Sequence, residues 1–151
     1  MDTFASLLVA LGRADVDFIV VGGLAVAFVG YARVTDDVDI LVDAEVDNIR
    51  RMLGVLHGFG DGAADELGPE DFLLEEGCIR IAEHFDLDIF TQMSGQRYAD
   101  LVSQTRTHNV EGISIRHLNA DALIHLKSQS LRPKDQLDVA ALRAIQRGET
   151  P

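Results

Sequence analysis

The stretch FIVVGGLAVAFVGYARVTDDVDILVD, residues 18–43, decides how the chain is read. Phe18 to Val21 is a short apolar run stopped by Gly22-Gly23, the pattern of a buried strand entering a tight turn. Leu24 to Val29 follow as a short helix ended by Gly30, and Asp37 to Val42 as a second strand. Side chains alternate along a strand, so Asp37 and Asp39 share one face while Val38, Ile40 and Val42 take the other. Two carboxylates that close resist joint ionisation unless a cation sits between them. Magnesium is such a cation, hard and oxygen-seeking, and is often held by one or two carboxylates plus substrate phosphates. A lone D-x-D is more simply a solvated strand edge. Here thirteen residues separate it from a glycine pair that follows a buried strand and precedes a helix. A glycine turn in that place lets backbone N–H groups approach phosphate oxygens.

Working outward, residues 2 to 13 read as an amphipathic helix, with Phe4, Leu7, Leu8 and Leu11 at helical spacing. Val46, Ile49, Met52, Leu53 and Leu56 give another helix. Residues 58 to 71, glycine-rich and acidic, read as a flexible loop. Strands are expected near Cys78 to Ala82 and Phe85 to Thr91, a helix from about Arg97 to Ser103, and a strand near Ile113 to Arg116. Asn119 can cap a helix running to about Ser130, and Pro133 suits the first turn of a last one. Strands alternating with helices imply an α/β or α+β fold with a central sheet. The expected organisation is one domain over residues 1–147 with a frayed tail at 148–151.

In His84-Phe85-Asp86-Leu87-Asp88-Ile89-Phe90 a second acidic pair appears. Asp86 and Asp88 share a face opposite Phe85, Leu87 and Ile89. Acids inside an apolar strand need a partner or an ion if they are buried. A strand with one wet face is the competing account.

The 151 residues suffice for one core. Apolar residues make up 47% and charged residues 25%, an ordinary globular balance. No apolar stretch approaches the roughly 20 residues that cross a bilayer, and the first residues, with Asp2, do not read as a signal peptide. The single cysteine, Cys78, cannot form an internal disulfide and reads as a small core residue. A cytoplasmic location is expected. The net charge of −12 argues against general nucleic-acid binding, because lysine and arginine are what displace counterions from phosphates. A small nucleotide screened by metal remains compatible, as does a basic partner protein.

Taken together, Gly22-Gly23, Asp37-Val38-Asp39 and a later strand aspartate resemble the signature of the DNA polymerase β-type nucleotidyltransferase superfamily. Arg33-Val-Thr35-Asp-Asp37-Val-Asp39 resembles more narrowly the small bacterial nucleotidyltransferase-like proteins, including AbiEii-type toxins of toxin–antitoxin systems. Asp88-Ile-Phe-Thr-Gln-Met-Ser-Gly95, Leu123-Ile-His-Leu-Lys127 and Arg132-Pro-Lys134-Asp135-Gln-Leu-Asp138 agree, so the resemblance spans about residues 18 to 142. It implies a mixed central β-sheet flanked by helices with closing C-terminal helices. It also implies two divalent ions, Mg2+ or Mn2+, held by Asp37, Asp39 and Asp88, with Gly22 and Gly23 on the phosphates of a nucleoside triphosphate. Asp88 is preferred to Asp86 because it directly precedes the apolar-Thr segment. By the same resemblance Arg33, Thr35 and Lys127 are candidate phosphate contacts.

For Arg33 and Thr35 a salt bridge or turn bond is an equal reading, and for Lys127 a solvated surface position. Lys134 and Asp138 are expected to pair across one helical turn. His84 and His125 lack zinc-site spacing. The acceptor, whether a tRNA end, a protein hydroxyl or a small molecule such as an antibiotic, is left open. A non-catalytic relative and a sugar-nucleotide glycosyltransferase stand as alternatives.

Overall fold

A computed structural model describes residues 3–32 and 34–151. Helix α1 (Phe4–Arg13) is opened by Thr3, whose hydroxyl accepts from Ser6 N at 3.1 Å while Ser6 Oγ accepts from Thr3 N at 2.7 Å. This reciprocal cap satisfies two N–H groups that the helix leaves free. Strand β1 (Phe18–Val21) runs directly into α2 (Gly22–Val29), so the expected glycine turn is instead the first turn of that helix. Gly22 makes the change of direction at φ +65°, a value that side-chain-bearing residues rarely adopt. Strand β2 (Asp37–Val42) and helix α3 (Val46–Leu56) follow.

Residues 58–71 are not the flexible loop that their composition suggests. Glu83 accepts from the backbone N–H groups of Asp61 and Ala63 at 2.8 and 3.0 Å. Asp65 accepts from Gly58, and Ala64 is buried at 2% exposure. Short-range composition reveals glycine and acid but not a partner some twenty residues away. Strands β3 (Cys78–Ala82) and β4 (Asp86–Phe90) form a hairpin. A short helix α4 (Tyr98–Leu101) leads through a 3₁₀ turn to β5 (Thr105–Val110) and β6 (Ile113–Leu118). Helices α5 (Ala120–Lys127), capped by Asn119 as expected, and α6 (Pro133–Gln146), with proline in its first turn, close the chain.

The six strands make one mixed sheet in the order β3-β4-β2-β1-β6-β5. β1 is antiparallel to β2 and parallel to β6, whereas β2 is parallel to β4. The central strands are the apolar ones: Phe18 to Val21 and Ile40 to Val42 are all buried. α1 packs on β5, β6 and α3, while α2 packs on β1, β2 and β6 and carries α5 and α6 against it. Cys78, expected in the core, is exposed because it opens the edge strand β3. Among the described residues no helix is long and apolar enough to cross a membrane.

Candidate active site

The parallel pairing of β2 with β4 decides the geometry. Its register sets Asp37 beside Asp86 and Asp39 beside Asp88. Neighbouring strands lie about 4.8 Å apart, so two rows of carboxylates share one short stretch of sheet. The central position of β2 leaves the second member of its row half-buried. Oδ1 of Asp39 is sealed from solvent and has no hydrogen-bond partner among the described residues.

Burial, and then the negative charge of Asp88, push the Asp39 carboxyl up to about 7. A hydrogen bond with Asp88 and the charge of Asp37 act in the same direction, and Lys127 opposes them. Asp88 behaves oppositely. Bonding to the Arg80 guanidinium holds it below the ordinary carboxylate range, against the effect of its burial. Arg80 Nε and Nη2 donate to the two oxygens of Asp88 at 2.8 and 2.9 Å, and Nη1 lies 3.5 Å from Asp86.

Gly22 closes the site from the α2 side. A Cβ there would overlap Oδ2 of Asp39 and lie 3.0 Å from its Cγ, so the helix start and the carboxylate fit only because the side chain is absent. Gly23 is the second residue of the same first turn, whose N-cap Val21 offers no side-chain acceptor. The first N–H groups of α2, beside Asp39, therefore have no capping side chain.

Thr35 makes a turn bond, its hydroxyl donating to the Asp37 carbonyl at 3.1 Å. Arg33 lies outside the described residues. Lys127 is not a solvated surface lysine. Its side chain is 13% exposed, and Nζ meets Asp135 at 2.9 Å and Asp138 at 3.0 Å. Asp138, expected to pair with Lys134 across one turn, is wholly buried and takes this long-range partner. Spacing along one helix could not reveal a cation on the preceding helix.

Sequence reasoning also missed Arg80. Its signal was the alternation in Cys78-Ile79-Arg80-Ile81, which puts a cation on the same pleat as a neighbouring acid once β3 and β4 are paired. A cavity of about 660 Å³ adjoins the site, lined by Phe4, Thr35, Asp36, His84, Phe85 and Asp86 among others.

Among the described residues no group of three or more His, Cys, Asp or Glu side chains is arranged to hold a metal ion. The physical reason is that both oxygens of Asp88 face a guanidinium. Asp37 and Asp39 do fit a divalent cation. One offers a buried oxygen with no hydrogen-bond partner, and its carboxyl is unstable as an anion until positive charge arrives.

No family model and no curated protein matches the chain. Solved structures do resemble it. The lincosamide antibiotic adenylyltransferase LnuA, in its lincomycin-bound crystal structure, matches with a TM-score of 0.66 at 18% identity, over 93% of this chain and 94% of that one. An antigenic nucleotidyltransferase-like protein from Paracoccidioides brasiliensis matches with a TM-score of 0.54 at 16% identity, over 93% of this chain and 73% of the other. At such identities the likeness is one of fold, and the chain has a nucleotidyltransferase-type fold.

Proposed function

We propose that this protein is a metal-dependent nucleotidyltransferase, moving a nucleoside monophosphate group from a triphosphate to an acceptor hydroxyl. The observation that carries the reading is Asp39, half-buried beside Asp37 with a sealed oxygen lacking a hydrogen-bond partner among the described residues and its carboxyl raised to about 7, at the uncapped start of α2. A magnesium or manganese ion bound there would lower the pKa of the attacking hydroxyl and stabilise charge on the oxygens in line.

The chain's own residues supply the rest. Gly22 and Gly23 let phosphate oxygens reach the first N–H groups of α2, where the helix dipole favours anions. Lys127, held by Asp135 and Asp138, stands as a fixed point charge toward the phosphates, and Arg33 is a further candidate contact. Thr35 orders the backbone that leads into Asp37. In the reaction the acceptor oxygen bonds to the α-phosphorus. The bond from that phosphorus to the bridging oxygen breaks, pyrophosphate leaves, and the hydroxyl proton passes to the carboxylate cluster that includes Asp88.

The acceptor in this reading is a small molecule carrying a hydroxyl. The adjoining cavity is of the size that takes such molecules, on the order of 300–1,000 Å³, with Phe4 and Phe85 for apolar contact and Asp36 and Asp86 for polar contact. The charge of −12 disfavours a long polyanion in the same place.

Calorimetric titration of ATP, CTP, GTP and UTP, with and without magnesium, tests the proposal. Magnesium-dependent binding that is lost in the Asp37→Asn/Asp39→Asn double variant is the expected result. Absence of binding for all four would overturn it. One observation favours a second reading, a non-catalytic relative: the Arg80 guanidinium neutralises Asp88 internally. That reading requires a folded protein that binds neither triphosphate nor divalent ion.

A further inference from the structure

Four carboxylates face one another on β2 and β4, yet among the described residues a cation pairs only with those of β4. Arg80 lies directly opposite Asp88 in the β3–β4 register, so its side chain emerges on the same pleat. It grips both Asp88 oxygens through the planar fork that matches a carboxylate, and it reaches Asp86. Lys127 is engaged by Asp135 and Asp138. Among the described residues no Lys, Arg or His stands within ion-pair distance of Asp37 or Asp39.

The two partners also differ in freedom. The Asp88 side chain is 8% exposed and fixed in the sheet, whereas that of Arg80 is 55% exposed. Arg80 can swing into water, while Asp88 cannot follow it.

We infer that Arg80 is a built-in counter-ion standing where a second divalent cation would meet Asp88, so that the resting site accepts one such cation, on Asp37 and Asp39. This rests on the metal-site reading above. A second cation must displace the guanidinium or bind against its charge. Arg80 thereby acts as a positioning residue, holding Asp88 in register with Asp39 and setting how many metal ions the site takes.

The test counts Mn2+ bound to the nucleotide-free protein by electron paramagnetic resonance. The wild type takes one equivalent. Arg80→Gln, which keeps a donor and loses the charge, takes a second, or binds the first roughly tenfold more tightly or better, as removal of a nearby positive charge requires. Arg80→Lys stays at one. Two equivalents in the wild type, or an identical count and affinity in Arg80→Gln, would overturn the inference while leaving the metal site intact. No Mn2+ bound by any of the three proteins would sink the metal reading and the inference together. Should Arg80→Gln fail to fold, the wild type still answers. The Arg80 Nε–Hε resonance, assigned by its loss in Arg80→Lys, must keep its hydrogen-bonded position through the first equivalent of Mg2+. Release at that first equivalent would contradict the inference.

Discussion

Asp39 carries two opposing demands. Its place in a central strand takes it partly out of water, which penalises the anion, while the chemistry proposed for it needs the anion to hold a cation. Without a metal the conflict shows as a carboxyl raised to about 7, chiefly by burial and then by Asp88. A folded-state pKa above the unfolded value of about 3.9 means that the native protein binds more protons between those limits. Stability therefore falls as pH rises from about 4 through 7, and the penalty is complete above it. Asp39→Asn removes that penalty. Its thermal midpoint in chelator should exceed the wild type's by several degrees at pH 8 and by little at pH 4. Magnesium should reverse the order at pH 8, raising the wild type and leaving the variant where it was. A variant no more stable than the wild type at pH 8 would remove the buried-charge account of Asp39. The alternation around residues 37–39 made both aspartates legible from the sequence, because period-2 patterning is a local property. Arg80 and Asp138 were not legible in the same way. Their partners, Asp88 and Lys127, are supplied by a strand pairing and a helix packing that no window along the chain contains.

At the level of elements, what the sequence reveals follows apolar content. β1, β2 and β4, each buried or mostly buried, announce themselves as hydrophobic runs. β5, Thr-Arg-Thr-His-Asn-Val, went unread because it is an edge strand with four of its six residues exposed and no face to bury. Its one local signal was the turn that follows. Glu111 and Gly112 both take positive φ, 50° and 85°, in the two-residue connection that suits a twisted hairpin. The segment at 58–71 failed for the opposite reason: besides its own turn bonds, its order comes from Glu83, on the β3–β4 connection, which no window over the segment contains. Glu83→Ala should thus act at a distance. Hydrogen exchange at the Asp61 and Ala63 amides is expected to speed up by at least tenfold, since two hydrogen bonds to a charged group are worth about 1.5–3 kcal/mol each. Amides of β2 and β4 should be unaffected. Unchanged exchange at residues 61 and 63 would mean that the segment is ordered by its own packing, with Ala64 as its anchor.

Across the whole molecule, the closing helices and the carboxylate strands form one electrostatic unit. Lys127, at the end of α5, gathers Asp135 and Asp138 of α6, and its charge reaches Asp39 and steadies the anion there. Burial of Asp135 favours its neutral form, yet the Ser130 hydroxyl and Lys127 outweigh this and hold the carboxyl below its usual range. A depressed folded-state pKa contributes stability above the unfolded value of about 3.9, and that contribution disappears as pH falls through the folded value. Lys127→Met removes the cation that both aspartates share while keeping most of the side-chain volume. Loss of one partner from a buried ion pair costs about 3–5 kcal/mol, which for a chain of this length is on the order of 10 °C in thermal midpoint. The deficit should be full at pH 7, should shrink below about pH 4, and should respond little to added salt, because buried pairs are poorly screened. Removing this charge should also tighten magnesium binding at Asp37 and Asp39, as in Arg80→Gln, wherever the fold survives. A deficit that vanishes in 0.5 M salt, or magnesium binding equal to the wild type's in a folded variant, would show that α5 and α6 merely cover the sheet. The expected pattern instead makes them part of the site, and explains why a lysine so far along the chain is 13% exposed rather than in water.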